Sequence, residues 1–558
     1  MESENKYEVI CGKSKKTLLY VAVFGSFVNI LMLTGPLFML QVYDRVLTSG
    51  SYSTLVGLFL IVVVLYSFMT GFDFLRSRVL SRLSFNFDSS LNESAFSLWM
   101  RNENEKFRTF RPVKDLATVR SFISSPVMAN AFDLPWVPFY LTVVFLIHPY
   151  LGGLAIFGSV LVSSLALFNQ WVTKKNSLRS ISYDSYESQV LEQCVKNKKT
   201  ITSLGLIDNI QKKWGSIRYD GLCALQKSIE RGEAIASLSK SLRLLLQSSI
   251  LALGAYLALQ QEISAGMIVA ASIIAGRALA PIDQVISQWK TVVKAKEAHK
   301  RLKSLYSINQ IKIEEYVDLP KPEGNLNLVG ITKFRESRDK PPILDRVSFN
   351  LLPGEALGVI GPSASGKSTL ASVICNATSP DLGEVKLDFA NISQFNPNRR
   401  LIGYLPQKVE LFPGTLKENI CGFDNEASDE DIISASMIAG VHNMIVELYD
   451  GYNTKVDSDS VTLSGGQIQR VALARAIYKL PPYIVLDEPN SNLDSEGDDA
   501  LKNAIEELKR RGHTVIVLTH RPSAISAVDK ILILQQGKLI EFGEKEQVLK
   551  RSLKKVGA

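Results

Sequence analysis

The nine residues GPSASGKST, from Gly361 to Thr369, decide the fold of the second half of this 558-residue chain. They follow an apolar run, Ala356–Ile360, that predicts a buried parallel strand, and they lead into a helical stretch, Leu370–Cys375. In this context the pattern G-x-x-x-x-G-K-S predicts a phosphate-binding loop rather than an ordinary glycine-rich turn, because its glycines let backbone N–H groups turn around phosphate oxygens. Lys367 is expected to reach the β- and γ-phosphates of ATP, and Ser368 to offer its hydroxyl to Mg²⁺. The candidate nucleotide-binding residues of the loop are Gly361, Pro362, Ser363, Ala364, Ser365, Gly366, Lys367, Ser368 and Thr369.

Length and composition set the broad class of the chain. A chain of 558 residues predicts two or more domains. Its formal net charge of +8 indicates nucleic acid or an anionic membrane surface as a partner, and the membrane is favoured because most basic clusters flank apolar stretches. The five cysteines are scattered, without C-x-x-C pairs or histidines at metal-ligand spacing, so we expect neither a disulfide framework nor a zinc site.

The first half contains six apolar stretches that predict membrane-spanning helices. They are Thr17–Leu40, Leu55–Phe72, Leu134–Ile147, Leu151–Trp171, Leu242–Leu259 and Gly266–Ala280. Two long polar stretches with helical periodicity lie between them, at about Ser81–Ala129 and Asn176–Lys240. Lys and Arg cluster at the N-terminus and after the second, fourth and sixth spans, so the positive-inside rule puts both termini and both polar stretches in the cytoplasm. The alternative, buried core helices of a soluble protein, is disfavoured by the length of the first two spans and by this charge alternation.

One charged residue, Arg277, lies near the middle of the sixth span. A charge that faces lipid is costly, so one expectation is that Arg277 faces a bundle interior or a water-filled transport path. The other is that it snorkels, or lies in a helical extension into the cytoplasm. The sequence leaves both open.

Beyond residue 325, short apolar strands alternate with helices, which predicts an α/β nucleotide-binding domain. Asp487 and Glu488 follow the apolar strand Tyr483–Leu486; Asp487 is expected to hold Mg²⁺, and Glu488 to polarise the water that attacks the γ-phosphate. Gln407, after a short apolar run, is expected to reach the metal or that water. His520 ends the strand TVIVLTH and is expected to bond the γ-phosphate, although a lone histidine at a strand end is more often structural.

The stretch LSGGQ, Leu463–Gln467, precedes a helical run, Ile468–Leu480. Ser464 and the two glycines put a hydroxyl and free N–H groups at the start of that helix, which is typical of an anion site. It is equally typical of a simple helix cap.

Taken in order, GPSASGKS, Gln407, LSGGQ, LDE and His520 resemble the ABC-transporter ATPase family, from about Asn325 to the C-terminus. The resemblance implies a head-to-tail dimer in which each of two ATP molecules lies between the Lys367 loop of one subunit and LSGGQ of the other. It implies that Glu488 is the catalytic base and His520 a γ-phosphate switch residue. The residues that it adds to the nucleotide site are Ser464, Gly465, Gly466, Gln467 and Asp494. Asp494 ends SNLD, which resembles the loop that crosses the dimer interface.

The chain departs from that family at one place. Many such exporters stack an aromatic side chain on adenine shortly before the first sheet strands. Here the matching stretch has Glu336 or Arg335 near that place, with Phe334 just off it. We therefore expect weak adenine stacking, or stacking by Arg335.

Five stretches spread over essentially the whole chain resemble type I secretion permease/ATPases of the metalloprotease-exporter type. They are QVYDRVLTSGS (Gln41–Ser51), FDLPW (Phe132–Trp136), GRALAPIDQ (Gly276–Gln284), YLPQKVELFPGTLKENI (Tyr404–Ile420) and LDEPNSNLD (Leu486–Asp494). The resemblance implies a homodimer in the bacterial inner membrane that works with a periplasmic adaptor (membrane fusion) protein and an outer-membrane channel. Its cargo would be unfolded protease or RTX-like polypeptides with C-terminal signals, and no nucleic acid is expected as a partner. Because the first span begins so early, we expect no N-terminal peptidase-like domain and no leader-peptide cleavage.

The predicted architecture is an α-helical six-span transmembrane domain of ABC-exporter type followed by an α/β P-loop ABC ATPase domain. The predicted divisions are a cytoplasmic N-terminal segment (1–16), a transmembrane domain with two long cytoplasmic helical extensions (17–310), a linker (311–324) and a nucleotide-binding domain (325–558). The extensions are expected to end in short helices that sit on the ATPase domains, near Pro112–Ser124 and Asn197–Leu206. Two alternatives are a lipid or drug exporter and a nucleotide-sensing regulatory membrane ATPase; the full hydrolytic set of residues disfavours the second.

Overall fold

The computed structural model describes residues 6–100, 111–309, 319–335, 341–396, 399–456 and 463–556. The chain divides into two compact units, residues 1–313 and 314–558. This division falls inside the predicted linker 311–324, of which residues 311–318 lie outside the described part.

The first unit is helical throughout its described residues. Its α-helices are α1 (Lys6–Leu31), α2 (Thr34–Gln41), α3 (Leu47–Ser49), α4 (Tyr52–Met100), α5 (Pro112–Ile123), α6 (Pro126–Ala131), α7 (Val137–Ile147), α8 (Pro149–Lys196), α9 (Lys198–Ser203), α10 (Ile207–Leu259), α11 (Ala265–Ser287) and α12 (Trp289–Asn309). A π-helix, Val42–Val46, joins α2 to α3, and a 3₁₀ turn, Leu134–Trp136, precedes α7.

Six helical segments among the described residues are long and apolar enough to cross a membrane, and each contains one of the predicted spans. They are Lys6–Ser49, Tyr52–Met100, Pro126–Ile147, Pro149–Lys196, Ile207–Leu259 and Ala265–Gln284. The six-span prediction is confirmed. The polar stretches are less separate than predicted, because α4, α8 and α10 continue from apolar into polar sequence without a break. No proline interrupts these three helices after their first residue, so nothing in the backbone ends them at the membrane surface.

A buried polar network joins three of the spans. The Asp133 carboxylate accepts hydrogen bonds from Arg76 Nη1 on α4 (3.0 Å) and from Asn29 Nδ2 on α1 (2.7 Å). The Tyr140 hydroxyl on α7 in turn lies 3.0 Å from Asn29 Oδ1. All four residues are at most 7% exposed. Asp133, in the FDLPW stretch, thus holds a buried arginine and an asparagine together, as buried charges require.

The N-terminal part of this unit contacts its last two helices at two places. On the π-helix, Asp44 accepts hydrogen bonds from Ser264 Oγ (2.6 Å) and from the Gly266 N–H (3.0 Å), at the start of α11. At the start of α1, the Tyr7 hydroxyl lies 2.7 Å from His299 Nδ1 on α12. Asp44 lies in the QVYDRVLTSGS stretch, so its hydrogen bonds with Ser264 and Gly266 give this motif a structural role.

The second unit alternates strands and helices. Its strands are β1 (Leu326–Lys333), β2 (Leu344–Leu351), β3 (Ala356–Ile360), β4 (Leu382–Leu387), β5 (Ala390–Asn391), β6 (Ile402–Leu405), β7 (Gly414–Thr415), β8 (Lys455–Val456), β9 (Tyr483–Asp487), β10 (Thr514–Leu518), β11 (Lys530–Gln535) and β12 (Lys538–Glu544). Its helices are α13 (Lys367–Ile374), α14 (Leu416–Cys421), α15 (Asp429–Ile438), α16 (His442–Glu447), α17 (Gly465–Ile477), α18 (Ser495–Arg510), α19 (Pro522–Ser526) and α20 (Lys545–Val556).

The central sheet has the strand order β12-β11-β3-β10-β9-β6, and all its pairings are parallel except that of β12 with β11. A second, antiparallel sheet has the order β2-β1-β4-β5. Strands β9 and β10 are buried along their whole length, which is why they read as continuous apolar runs. Because β3, β6, β9 and β10 run in the same direction, the residues that follow them gather at one edge of the sheet.

Candidate nucleotide site

The loop between β3 and α13 has the backbone conformation that its glycines predict. Gly366 has a φ of +103°, and Ala364 a φ of +64°. A Cβ at Gly361 would collide with the carbonyl oxygen of Leu534, so only glycine fits there. Gly366, with its positive φ, is the N-cap of α13, which begins at Lys367, three residues before the predicted start at Leu370. Lys367 and Ser368 therefore lie in the first turn of this helix.

Lys367 lies inside this loop. Its Nζ donates hydrogen bonds to the carbonyl oxygens of Gly361 (2.7 Å) and Pro362 (3.1 Å), and the residue is buried. The Ser365 hydroxyl is also buried, and it has no hydrogen-bond partner among the described residues. The loop therefore presents an ammonium group and a spare hydroxyl donor, which suit an anion such as a phosphate group.

Asp487 ends β9 beside this loop. Burial raises the pKa of its carboxyl group, while a hydrogen bond from Ser368 acts in the opposite direction; Glu488 raises the pKa further and Lys367 lowers it. Its Oδ1 is buried and has no hydrogen-bond partner among the described residues. An unpartnered carboxylate oxygen next to a serine hydroxyl is a donor set of the kind that Mg²⁺ prefers, so these residues fit that ion.

Glu488 is held in an unusual backbone conformation. Its φ is +50°, which a side-chain-bearing residue rarely adopts, and its N–H donates to the carbonyl oxygen of Leu518 (2.9 Å). Gln407 Nε2 donates to Glu488 Oε2 (2.9 Å), and His520 Nδ1 lies 3.6 Å from Oε1. Three residues predicted from separate strand ends are therefore brought together around one carboxylate.

Sequence reasoning missed Gln469, which supports Glu488 from α17. Its Nε2 donates to the backbone carbonyl oxygens of Glu488 (3.2 Å) and Pro489, and its Oε1 accepts from the Asn492 N–H (3.1 Å). The side chain is 2% exposed. An amide on the otherwise apolar face of a helix is a signal that could have identified it, because buried polar groups need partners.

Ser464 and Asp494 are helix caps in this structure. Ser464 Oγ accepts from the Gln467 N–H (3.3 Å), while Gln467 Oε1 accepts from the Ser464 N–H (2.8 Å), which forms a capping box at the start of α17. Asp494 Oδ1 accepts from the Gly497 N–H (2.9 Å) and caps α18. The helix after LSGGQ therefore begins at Gly465 rather than at Ile468, and it ends at Ile477.

The adenine-stacking prediction is only partly within the described residues. Glu336 lies outside them. Arg335 is exposed, and the backbone N–H of Phe334 donates to Asp381 Oδ2 (2.7 Å).

Comparisons with known proteins agree with this arrangement. The family model described as the ABC transporter transmembrane region matches residues 18–278, and the family model described as ABC transporter matches residues 344–491. The chain is 38% identical over 543 residues to the type I secretion system ATP-binding protein PrsD of Rhizobium meliloti (strain 1021), covering 96% of this chain and 92% of that protein. It is 27% identical over 553 residues to the leukotoxin translocation ATP-binding protein LktB of Mannheimia haemolytica, covering 97% of this chain and 77% of that protein.

Among solved structures, the fold is similar to that of a bacterial Atm1-family ABC exporter with ATP bound. The TM-score is 0.80 at 22% sequence identity, and the match covers 96% of this chain and 97% of the other. This likeness concerns the fold. Together with the sequence matches, it shows that the chain belongs to the ABC transporter family, as an ATPase-bearing exporter of the type I secretion class.

Proposed function

We propose that this protein uses ATP hydrolysis to export unfolded polypeptides with C-terminal signals, as the energising subunit of a type I secretion system. The observation that carries the proposal is the match to PrsD, which covers 96% of the chain at 38% identity and so includes both the membrane spans and the ATPase unit. LktB is named as a leukotoxin translocation protein, and translocation of a toxin is consistent with this proposal. A lipid or drug exporter has no comparable observation in its favour.

In the hydrolytic step, Glu488 would accept a proton from the water that attacks the γ-phosphate. Its carboxylate is oriented by Gln407 on one oxygen and faces His520 on the other, while Gln469 holds its backbone. Lys367 would exchange the carbonyl oxygens of its own loop for the β- and γ-phosphates of ATP. His520, at a strand end beside Glu488, would bond the γ-phosphate and so report its presence.

A bound Mg²⁺ would neutralise charge that develops on the phosphates during transfer. Ser368, Asp487 and Gln407 are the side chains that would hold it. The buried, unpartnered Oδ1 of Asp487 supports this assignment.

We propose a homodimer as the working unit, because one chain carries six spans and one ATPase unit. In that dimer, Ser464, Gly465, Gly466 and Gln467 of one subunit would contact the ATP bound by the loop of the other, near Asp494. The N–H groups at the start of α17 are suited to this role, since the first N–H groups of a helix lack intrahelical acceptors. The short helices α5 and α9 fall within the stretches 112–124 and 197–206 of the sequence, and they would transmit movement between the ATPase units and the spans.

The protein would lie in the bacterial inner membrane with both termini and the ATPase unit in the cytoplasm, as the distribution of Lys and Arg predicts. A periplasmic adaptor and an outer-membrane channel would complete the secretion path. The lipid bilayer and the cargo polypeptide are its other partners.

The test is ATPase turnover of the purified protein in lipid vesicles, with and without a candidate C-terminal signal peptide. Glu488→Gln is the test variant, and Glu546→Gln, at an exposed position on α20, is its matched control. We expect turnover to be lost only in Glu488→Gln and to change when the peptide, but not its scrambled form, is added. Glu488-dependent turnover that ignores peptides and responds to lipids or amphiphiles would contradict polypeptide export. Turnover that persists in Glu488→Gln would contradict the assigned base.

A further inference from the structure

A second cleft lies in the ATPase unit, at the edge of the central sheet opposite the candidate nucleotide site. Its volume is about 720 Å³. Its walls come from residues just before β6 and β9, from segment 319–321 and from α15. Gln407 and Glu488 follow the other ends of β6 and β9, which are about 15 Å away at roughly 3.3 Å per strand residue. The two sites are therefore separate.

The cleft is lined by four cationic side chains and one carboxylate. The cations are Lys321, Arg399, Arg400 and Lys479, and the carboxylate is Asp431. Lys479 forms an ion pair with Asp424 (2.7 Å), and Arg399 donates to the carbonyl oxygen of Leu319. When Asp424 is counted together with Asp431, the four cationic side chains still outnumber the carboxylates by two.

The guanidinium of Arg400 has a fixed position at this cleft. It packs over the ring of the buried Tyr478 at 4.9 Å, while the residue itself is exposed. One face of the guanidinium is therefore held by the ring and Nη2 lies against Gly422, so the N–H groups that remain are fixed in direction and could bind a phosphate oxygen. The neighbouring residues Lys479 and Leu480 have φ values of +58° and +46°. Two consecutive strained residues of this kind favour a functional segment.

Apart from Ser434, the rest of the lining is apolar. Leu401 and Ile477 are buried, and Leu480 is half-buried beside them. A cavity of several hundred Å³ with an apolar floor and a few charged groups is typical of small-molecule sites. Inorganic phosphate would leave the apolar residues of the lining uncovered, whereas a molecule with both phosphates and an apolar ring system would cover them.

We propose that this cleft binds a phosphate-bearing small molecule of the nucleotide class, with its phosphates on Arg400, Lys321 and Lys479 and its apolar part on Leu401 and Leu480. This site is additional to the one that hydrolyses ATP. The proposal stands whether or not the exported cargo is a polypeptide.

The experiment is calorimetric titration of the full chain in detergent with two probes, inorganic tripolyphosphate and a non-hydrolysable ATP analogue. All proteins carry Lys367→Ala, which weakens the first site equally in every titration. The test variant adds Arg400→Glu and Lys321→Glu, and matched controls carry Lys502→Glu on an exposed position of α18. The same substitutions in a chain with Lys367 intact check folding, through unchanged ATPase turnover.

We expect the test variant to bind both probes at least about tenfold more weakly than the control, because it replaces two cations of the cleft by carboxylates that repel phosphate. Tighter binding of the ATP analogue than of tripolyphosphate would support the apolar floor. Equal binding in test and control proteins, or no binding of either probe beyond the first site, would overturn the proposal. A poly-glutamate peptide that displaces both probes at lower concentration would overturn the assignment to phosphate.

Discussion

The buried ion pair between Asp133 and Arg76 allows a sharp prediction about the stability of the membrane unit. Asp133→Ala removes the acceptor of both Arg76 and Asn29, and it leaves a buried guanidinium. Arg76 keeps a second partner, since its Nη2 donates to Asp73 Oδ1 at 2.8 Å. The change therefore removes one of two carboxylates from a buried cation.

The expected cost is about 3 kcal/mol in the free energy of unfolding. Breaking a buried pair by removing one partner costs about 3–5 kcal/mol, and the lower end applies because Asp73 remains. Asp73→Ala is the matched control, because it removes the other carboxylate from the same arginine. The Asp73 side chain is 53% exposed, so its removal should cost less than about 1 kcal/mol.

The assay is reversible unfolding in mixed micelles, followed by tryptophan fluorescence at increasing denaturant. Replacing both partners, as in Arg76→Met with Asp133→Leu, should cost much less than Asp133→Ala alone, because no buried charge is left unpaired. Equal losses for Asp133→Ala and Asp73→Ala would refute the reasoning. So would a double variant that is no more stable than Asp133→Ala.

Three further predictions concern the ATPase unit. Gln469→Leu should lower ATPase turnover about tenfold or more with little change in ATP affinity. The reason is that it releases the Glu488 backbone and leaves the phosphate loop intact. A loss of ATP affinity of the same size would contradict this. Gly361→Ala should weaken ATP binding and lower the free energy of unfolding by about 1–3 kcal/mol. The control is Gly215→Ala, where a Cβ meets no neighbour; it should leave thermal stability unchanged or raise it. Burial raises the pKa of Asp487, so the folded state binds more protons than the unfolded state. The free energy of unfolding therefore falls as pH rises through that raised pKa. Asp487→Asn should therefore raise the Tm at neutral pH without Mg²⁺ and remove the extra stabilisation by Mg²⁺; a lower Tm under these conditions would contradict the prediction.

Local patterns were enough to predict the spans and much of the candidate site. Apolar length identifies a membrane helix wherever its partners lie, and parallel strands collect their carboxyl ends at one edge. Gln407, Glu488 and His520 could therefore be grouped before the structure was known, although more than 80 residues separate the first two. The boundaries of α13 and α17 were harder, because they depend on the φ of Gly366 and on the cap at Ser464.

Contacts between distant residues were not predictable in the same way. The bond between Asn29 and Asp133 spans 104 residues, and neither residue belongs to a periodic pattern. Gln469 was missed for a related reason: its place on the apolar face of α17 signals burial, but the backbone atoms that it contacts cannot be identified from the sequence. Asp44 and Asp133 each lie in a stretch that supported the resemblance to type I secretion proteins, and the structure supplies their contacts.

The contacts of Tyr7 and Asp44 have a consequence for the order of movements in this unit. Asp44 holds the start of α11 and Tyr7 contacts α12, so the segment from α1 to the π-helix and the last two helices close the unit into a ring. Any rearrangement that opens a path between spans within one chain must open elsewhere, or break one of these contacts first. The residues ahead of the first span are thus part of the ring, and shortening the chain beyond Tyr7 would cut it.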